Sequence, residues 1–137
     1  GDGLMAVFGA PLPLADAPLA AVRAALEMIE MIELLNVDRS AARKAPIRIG
    51  VGIASGEMIA GYTGTQSRAT YTCVGDTVNL AARLEGHTKV AGRTILIDQA
   101  TLQALPPDVQ VEVLEPVALK GIASAVELFS VDCAQSL

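Results

Sequence analysis

The chain has 137 residues, enough for one domain and too few for two. Hydrophobic residues make up 52% and charged residues 18%, a balance that supports a buried core and argues against disorder. The net charge of −5 argues against nucleic-acid binding, which draws on clustered Lys and Arg, and four aromatic residues are too few for a base-stacking platform.

Phe8, Tyr62, Tyr71 and Phe129 are those aromatics, so the core must be aliphatic. Cys73 and Cys133 form neither a metal-ligand pattern nor a disulfide framework, and both read as small core residues in a reducing setting. No uncharged apolar run reaches the roughly 18 residues of a membrane span. Pro11 and Pro13 interrupt the longest candidate, and no signal peptide is recognisable. The expectation is an acidic cytoplasmic domain without membrane contact.

The chain opens on Gly1-Asp2-Gly3, a turn signature followed at once by the apolar run Leu4 to Phe8. A turn with no strand before it suggests half a hairpin, so residues 4–8 are expected as a strand whose partner lies upstream, and the domain is expected to be N-terminally incomplete. Asp16 is the expected N-cap of a helix with Pro18 in its first turn. Leu19, Val22, Leu26 and Ile29 recur at spacings of three and four, which predicts an amphipathic helix to about Leu35. Residues 36–46 read as a loop. The alternating segment from Ile47 to Ile53 predicts a strand, with Gly50 and Gly52 marking a close backbone approach.

Gly56-Glu57 reads as a turn and Met58 to Tyr62 as a return strand. Residues 63–70 are polar and are expected as an exposed loop, followed by a strand from Tyr71 to Val74. A helix capped by Asp76 or Thr77 should stop near Gly86, leaving His87, the sole histidine, just past its end. Thr94 to Ile97 predicts a strand, and Asp98 the cap of a short helix to about Leu105 before the break at Pro106-Pro107. Val109 to Leu114 and Val126 to Val131 should pair as a hairpin, with Lys120 on the connection. Interleaved helices and strands place the chain in the α/β or α+β class with one mostly antiparallel sheet flanked by helices.

Phosphate-loop, dinucleotide-binding, zinc-protease and nucleophile-elbow motifs are absent, and His87 has no partner cysteine, so hydrolases and acyl transferases are excluded. Four features remain, each ordinary by itself. Asp2 sits in a turn that suits aspartate. Asn79 and Arg83 are four apart and share a helix face, which alone is commonly a solvated surface. Lys120 reads as a strand-end lysine, and Thr72 as a plain strand residue.

Taken together and in this order they resemble the class III nucleotide cyclase catalytic domain. Gly-Asp-Gly-Leu-Met-Ala-Val-Phe-Gly at 1–9 is similar to the family's second metal-site hairpin, and residues 71–85 resemble the segment bearing its transition-state residues. Val117-Ala-Leu-Lys-Gly matches the phosphate-binding lysine motif, and residues 49–57 fit the strand between. The resemblance covers the whole chain and implies a ferredoxin-like cyclase fold.

It also implies conversion of a nucleoside triphosphate to the 3′,5′-cyclic monophosphate and pyrophosphate, with the ribose 3′-hydroxyl as nucleophile. Asp2 would be one ligand of two Mg²⁺ or Mn²⁺ ions, and the family's first metal aspartate lies on an upstream strand. Arg83 would stabilise charge on the α-phosphoryl group, Asn79 would bind the ribose, and Lys120 the terminal phosphates. The site would lie at a homodimer interface, with the 63–70 loop as either a dimerisation arm or a plain solvent loop, and regulatory domains could be attached. At the base-selecting position Thr72 favours ATP while leaving GTP open, because a hydroxyl accepts from a 6-amino group and donates to a 6-oxo group. The rivals to an adenylate cyclase are a guanylate cyclase and a catalytically silent nucleotide-binding or dimerisation module.

Overall fold

The computed structural model describes residues 2–137, so Gly1 of the Gly-Asp-Gly turn lies outside the described residues. The elements in chain order are α1 (Ala17–Ala41), β1 (Val51–Ile53), β2 (Ile59–Thr65), β3 (Arg68–Val74), α2 (Asp76–Ala91), β4 (Ile95–Asp98), α3 (Gln99–Gln103), β5 (Val111–Val113) and β6 (Leu128–Val131). A four-stranded sheet has the order β1-β4-β6-β5, and β2 and β3 form a separate two-stranded ribbon. Only the β1–β4 pair is parallel, so the mostly antiparallel α+β character expected from the sequence is borne out.

The central strand β4 explains the layering. Its side chains alternate between two faces: Ile95 and Ile97 pack with Val22, Ala25 and Ile29 of α1 and with Phe129 and Val131 of β6. Leu96 faces the other way, into a cluster with Leu84 of α2 and Leu128 of β6. A helix therefore covers each face, which is why β4 reads as an unbroken apolar run rather than an alternating one. Fully burying a side chain such as Leu84 contributes about 1.5–3 kcal/mol.

Several boundaries differ from the sequence reading. Leu4 to Phe8 is not a strand, because no strand among the described residues lies beside it to take its backbone hydrogen bonds. Asp16 does stand at the N-cap position of α1, but in a left-handed conformation (φ 54°, ψ 36°) and with no side-chain cap bond. α1 runs to Ala41 rather than Leu35. Its polar last turns are held by the returning chain: Asn36 donates from Nδ2 to the Ile47 carbonyl at 2.8 Å and accepts the Ile47 N–H at 2.7 Å, and Arg39 Nε donates to the Ala45 carbonyl at 2.8 Å. Those contacts hold the approach to β1, which is confined to Val51–Ile53.

Residues 63–70 are not a loop. β2 and β3 continue as an antiparallel hairpin through Thr65↔Arg68, turning at Gln66-Ser67. Both faces of this distal part are exposed, so it carries none of the apolar alternation that marks a half-buried strand, although threonine suits a pleated strand. α2 passes through Gly86 and ends only at Gly92, whose φ of 64° is the left-handed conformation that glycine adopts freely. His87 is accordingly a half-buried helix residue, not one beyond its end. α2 is capped by Gly75, not by an Asp76 or Thr77 side chain. Asp98 caps α3 as expected, its carboxylate accepting the Thr101 N–H at 2.9 Å. Among the described residues no helix is long and apolar enough to cross a membrane.

Candidate active site

The site is built around α2 and the way it lies on β1. A Cβ at Gly52 would run into the α2 backbone at Ala81 and Glu85, and one at Gly50 into the Thr88 side chain. The close approach read from these glycines is therefore real, and it sets the helix against the strand. Leu80 and Leu84 turn inward to the core cluster with Leu96 and Leu128. Asn79 and Arg83, one turn apart, are left on the exposed face. Neither side chain makes a hydrogen bond or ion pair among the described residues, so both are free to meet a ligand.

Lys120 is exposed in the turn between β5 and β6, next to Gly121 (φ 80°). An isolated bridge pairs Val117 with Val126 below the turn, and the Ile122 N–H bonds the Leu119 carbonyl at 3.1 Å. Val117 and Leu119 pack in the same cluster as Leu80 and Leu84. The lysine turn and α2 thus share one face of the sheet and one patch of core.

Thr72 lies half-buried on β3, four residues before α2 begins, directly opposite Gly61 on β2. A Cβ at Gly61 would meet nothing, so one side of the Thr72 hydroxyl is open. Asp2 is exposed in the segment before α1, in no regular element, and no hydrogen bond or ion pair joins it to the other four.

Asp2 offers a hard, unpaired carboxylate of the kind Mg²⁺ or Mn²⁺ takes. Among the described residues no three Asp, Glu, His or Cys side chains converge. The donor chemistry of Asp2 fits a divalent ion.

Neither cysteine offers competing chemistry. Cys73 is buried. The Cys133 thiol is pushed up by partial burial, with the Asp132 and Glu33 charges adding to it against a hydrogen bond from Thr94 that lowers it. Cys133 is exposed, so it is not the small core residue expected from the sequence.

A cleft of about 470 Å³ lies at the far end of α2, lined by residues including Gly92, Arg93 and Glu112, and holds none of the candidate residues. Its one ion pair, Arg93 Nε to Glu112 at 2.9 Å, is internally neutralised. A smaller cleft of about 350 Å³, lined by Glu57, Met58, Ile59, Val74 and Gly75, abuts the N-terminus of α2.

Sequence reasoning missed three hydrogen bonds. Thr77 Oγ1 donates to the Glu57 carbonyl at 2.8 Å. Ser55 and Thr101 share a hydrogen bond of 2.7 Å, and Thr101 Oγ1 donates to the buried Asp98 at 2.6 Å. The only sequence signal was the small, polar Ala54-Ser55-Gly56-Glu57 connection.

A profile of the adenylate and guanylate cyclase catalytic domain matches residues 1–132. The chain is 34% identical to a terminal-differentiation-specific adenylate cyclase of Dictyostelium discoideum, over 96% of this chain and 6% of that protein. It is 32% identical to adenylate cyclase 1 of Rhizobium meliloti, over 96% of this chain and 20% of that one. The chain thus spans a fifth or less of these two relatives. The solved guanylyl cyclase Cya2 superposes with a TM-score of 0.75 at 30% identity, covering 90% of this chain and 62% of its own. The chain belongs to the adenylate and guanylate cyclase catalytic domain family.

Proposed function

We propose that this domain is the catalytic unit of an adenylate cyclase, converting ATP to 3′,5′-cyclic AMP and pyrophosphate at a site shared by two copies of the chain. The observation that carries this reading is the pair Asn79 and Arg83. Both are exposed and unpaired, on a helix whose position is fixed by two glycines of the β1 segment and whose core patch also holds the Lys120 turn.

The reaction needs no protein nucleophile, because the ribose 3′-hydroxyl attacks the α-phosphorus and pyrophosphate leaves. The work of the chain is to orient and neutralise. Asn79 hydrogen-bonds the ribose and holds its 3′-hydroxyl in line. Arg83 donates to the α-phosphoryl oxygens as charge grows on them. Lys120 holds the terminal phosphates as a point charge. Divalent ions, which this family generally uses, supply Lewis-acid activation of the hydroxyl and charge neutralisation when bound. Asp2 would be one of their ligands.

In this reading the complete site pairs Asp2 of one copy with Asn79, Arg83 and Lys120 of the other. A two-fold dimer would carry two such sites. Thr72 reads the base through its hydroxyl, accepting from the 6-amino group of adenine. The adenylate cyclases among the relatives support ATP, and the likeness to a guanylyl cyclase makes GTP the necessary control.

The test is cyclic nucleotide formation by the full-length protein from ATP and, separately, GTP, each with Mg²⁺ or Mn²⁺. Metal-dependent cyclic AMP that Arg83→Ala abolishes supports the reading. Cyclic GMP alone would reassign the substrate. A folded protein that binds nucleotide and makes neither product would be a silent module.

A further inference from the structure

We propose that Thr77 is a positioning residue whose hydroxyl latches the first turn of α2 to the β1–β2 connection and thereby sets where Asn79 stands. The proposal rests on the cyclase reading above for its kinetic consequence, and on the hydrogen bonds alone for the latch itself.

Helix N-termini leave four N–H groups without intrahelical partners, and a side-chain cap ordinarily steadies the first turn. α2 has none: its N-cap is Gly75, with φ 138° and no side chain to offer. The turn is tied down from outside instead. Thr77 Oγ1 donates to the Glu57 carbonyl at 2.8 Å. Gly56, at φ 158°, makes room for this bond, since a Cβ there would stand 2.7 Å from Thr77 Oγ1.

The connection that receives the bond is itself anchored in the core. Ser55 is hydrogen-bonded at 2.7 Å to Thr101, which donates at 2.6 Å to Asp98, and Thr101 and Asp98 are both buried. Hydrogen bonds from the buried end of β4 to Ser55, the two-residue backbone step from Ser55 to Glu57, and the Glu57–Thr77 bond therefore connect β4 to Thr77. Two residues further on is Asn79, whose own N–H bonds the Gly75 carbonyl at 3.1 Å within the same first turn.

Arg83 stands beside the core anchor Leu84 and needs no such help. Asn79 lies in the first turn, two residues from the latched Thr77, so the latch governs it more than Arg83, one turn further on. A displacement of about 1 Å in an orienting group can lower turnover by up to about 100-fold while binding persists.

The decisive variants are Thr77→Val, which keeps the shape and removes the hydroxyl, and Thr77→Ser, which restores it. In the full-length protein, Thr77→Val should lower kcat by about 10-fold to 100-fold with KM for the nucleotide within about 3-fold, because Lys120 and Thr72 are untouched. Thr77→Ser should return kcat to within about 3-fold of wild type. First-turn amides of α2, that of Asn79 included, should exchange faster in Thr77→Val while those around Leu84 keep their protection.

An unchanged kcat in Thr77→Val, a loss that Thr77→Ser shares, or a change in KM alone would overturn the positioning role. Unaltered first-turn exchange would overturn the latch. A wild type that forms no cyclic nucleotide would instead overturn the cyclase reading and the kinetic role with it, and the exchange result would still decide whether the latch exists.

Discussion

Arg83 carries the heaviest electrostatic demand of the proposed reaction. It makes no ion pair among the described residues, so replacing it orphans no partner. Arg83→Ala should lower turnover by about 1,000-fold or more, in line with transition-state arginines of other phosphoryl transfers, while the unfolding midpoint stays near wild type. Steady-state kinetics beside a urea melt checks both parts. Thr72→Val removes a hydroxyl and little volume; losing one neutral hydrogen bond of about 1 kcal/mol should raise KM for ATP by about 5-fold and erode discrimination against GTP. A different residue pair sets the pH response. The Arg93 hydrogen bond holds the Glu112 carboxyl below its ordinary value, against desolvation that raises it, and the Arg93 charge adds to the lowering. A depressed folded value means stability that is present above the unfolded value and lost as pH falls through the folded one. The stability difference between wild type and Glu112→Gln should therefore be constant at neutral pH and vanish in acid, as urea melts across pH would show. Because both side chains are largely exposed, the effect should also shrink with salt.

At the scale of elements, the glycines of the β1 segment are the joint on which the site depends. Gly52→Ala would push a methyl into the α2 backbone, which cannot move aside like a flexible side chain. The expected result is a destabilisation of about 1–3 kcal/mol or more together with lost activity, because α2 must shift as a unit. Leu84→Ala should destabilise by about 2–5 kcal/mol through the cavity it leaves against Leu96 and Leu128. These elements also show what a sequence can and cannot disclose. Gly50 and Gly52 were readable because a glycine pair in a strand has few other uses, and the Asp98 cap because its bond is local. The end of α1 was not, since Asn36 and Arg39 look like loop residues until Ile47 and Ala45 return to meet them. The 63–70 hairpin was hidden for a related reason: exposed on both faces, it has no apolar period to betray it. Thr77 looked like a cap because its partner, the Glu57 carbonyl, is twenty residues away and contributes no side chain.

Over the whole molecule, motif order was the most informative signal and geometry the most restrictive. Asn79, Arg83, Lys120 and Thr72 were singled out only by the family resemblance of their motifs, and the structure gathers α2 and the Lys120 turn on one side of the sheet. Asp2 lies exposed in the irregular segment before α1, and no three metal-ligating side chains converge among the described residues. The proposed site is completed by a second copy. Asp2→Ala and Arg83→Ala should each be inactive alone. Mixed and allowed to exchange subunits, half of the dimers would combine one of each and hold one intact site.

That mixing experiment is the most direct test of a shared cyclase site. Equal amounts of the two inactive variants should recover about a quarter of wild-type cyclic AMP formation, because one of two sites is restored in about half of the dimers. Activity that stays at the level of either variant alone, although subunit exchange is confirmed, would contradict the shared site.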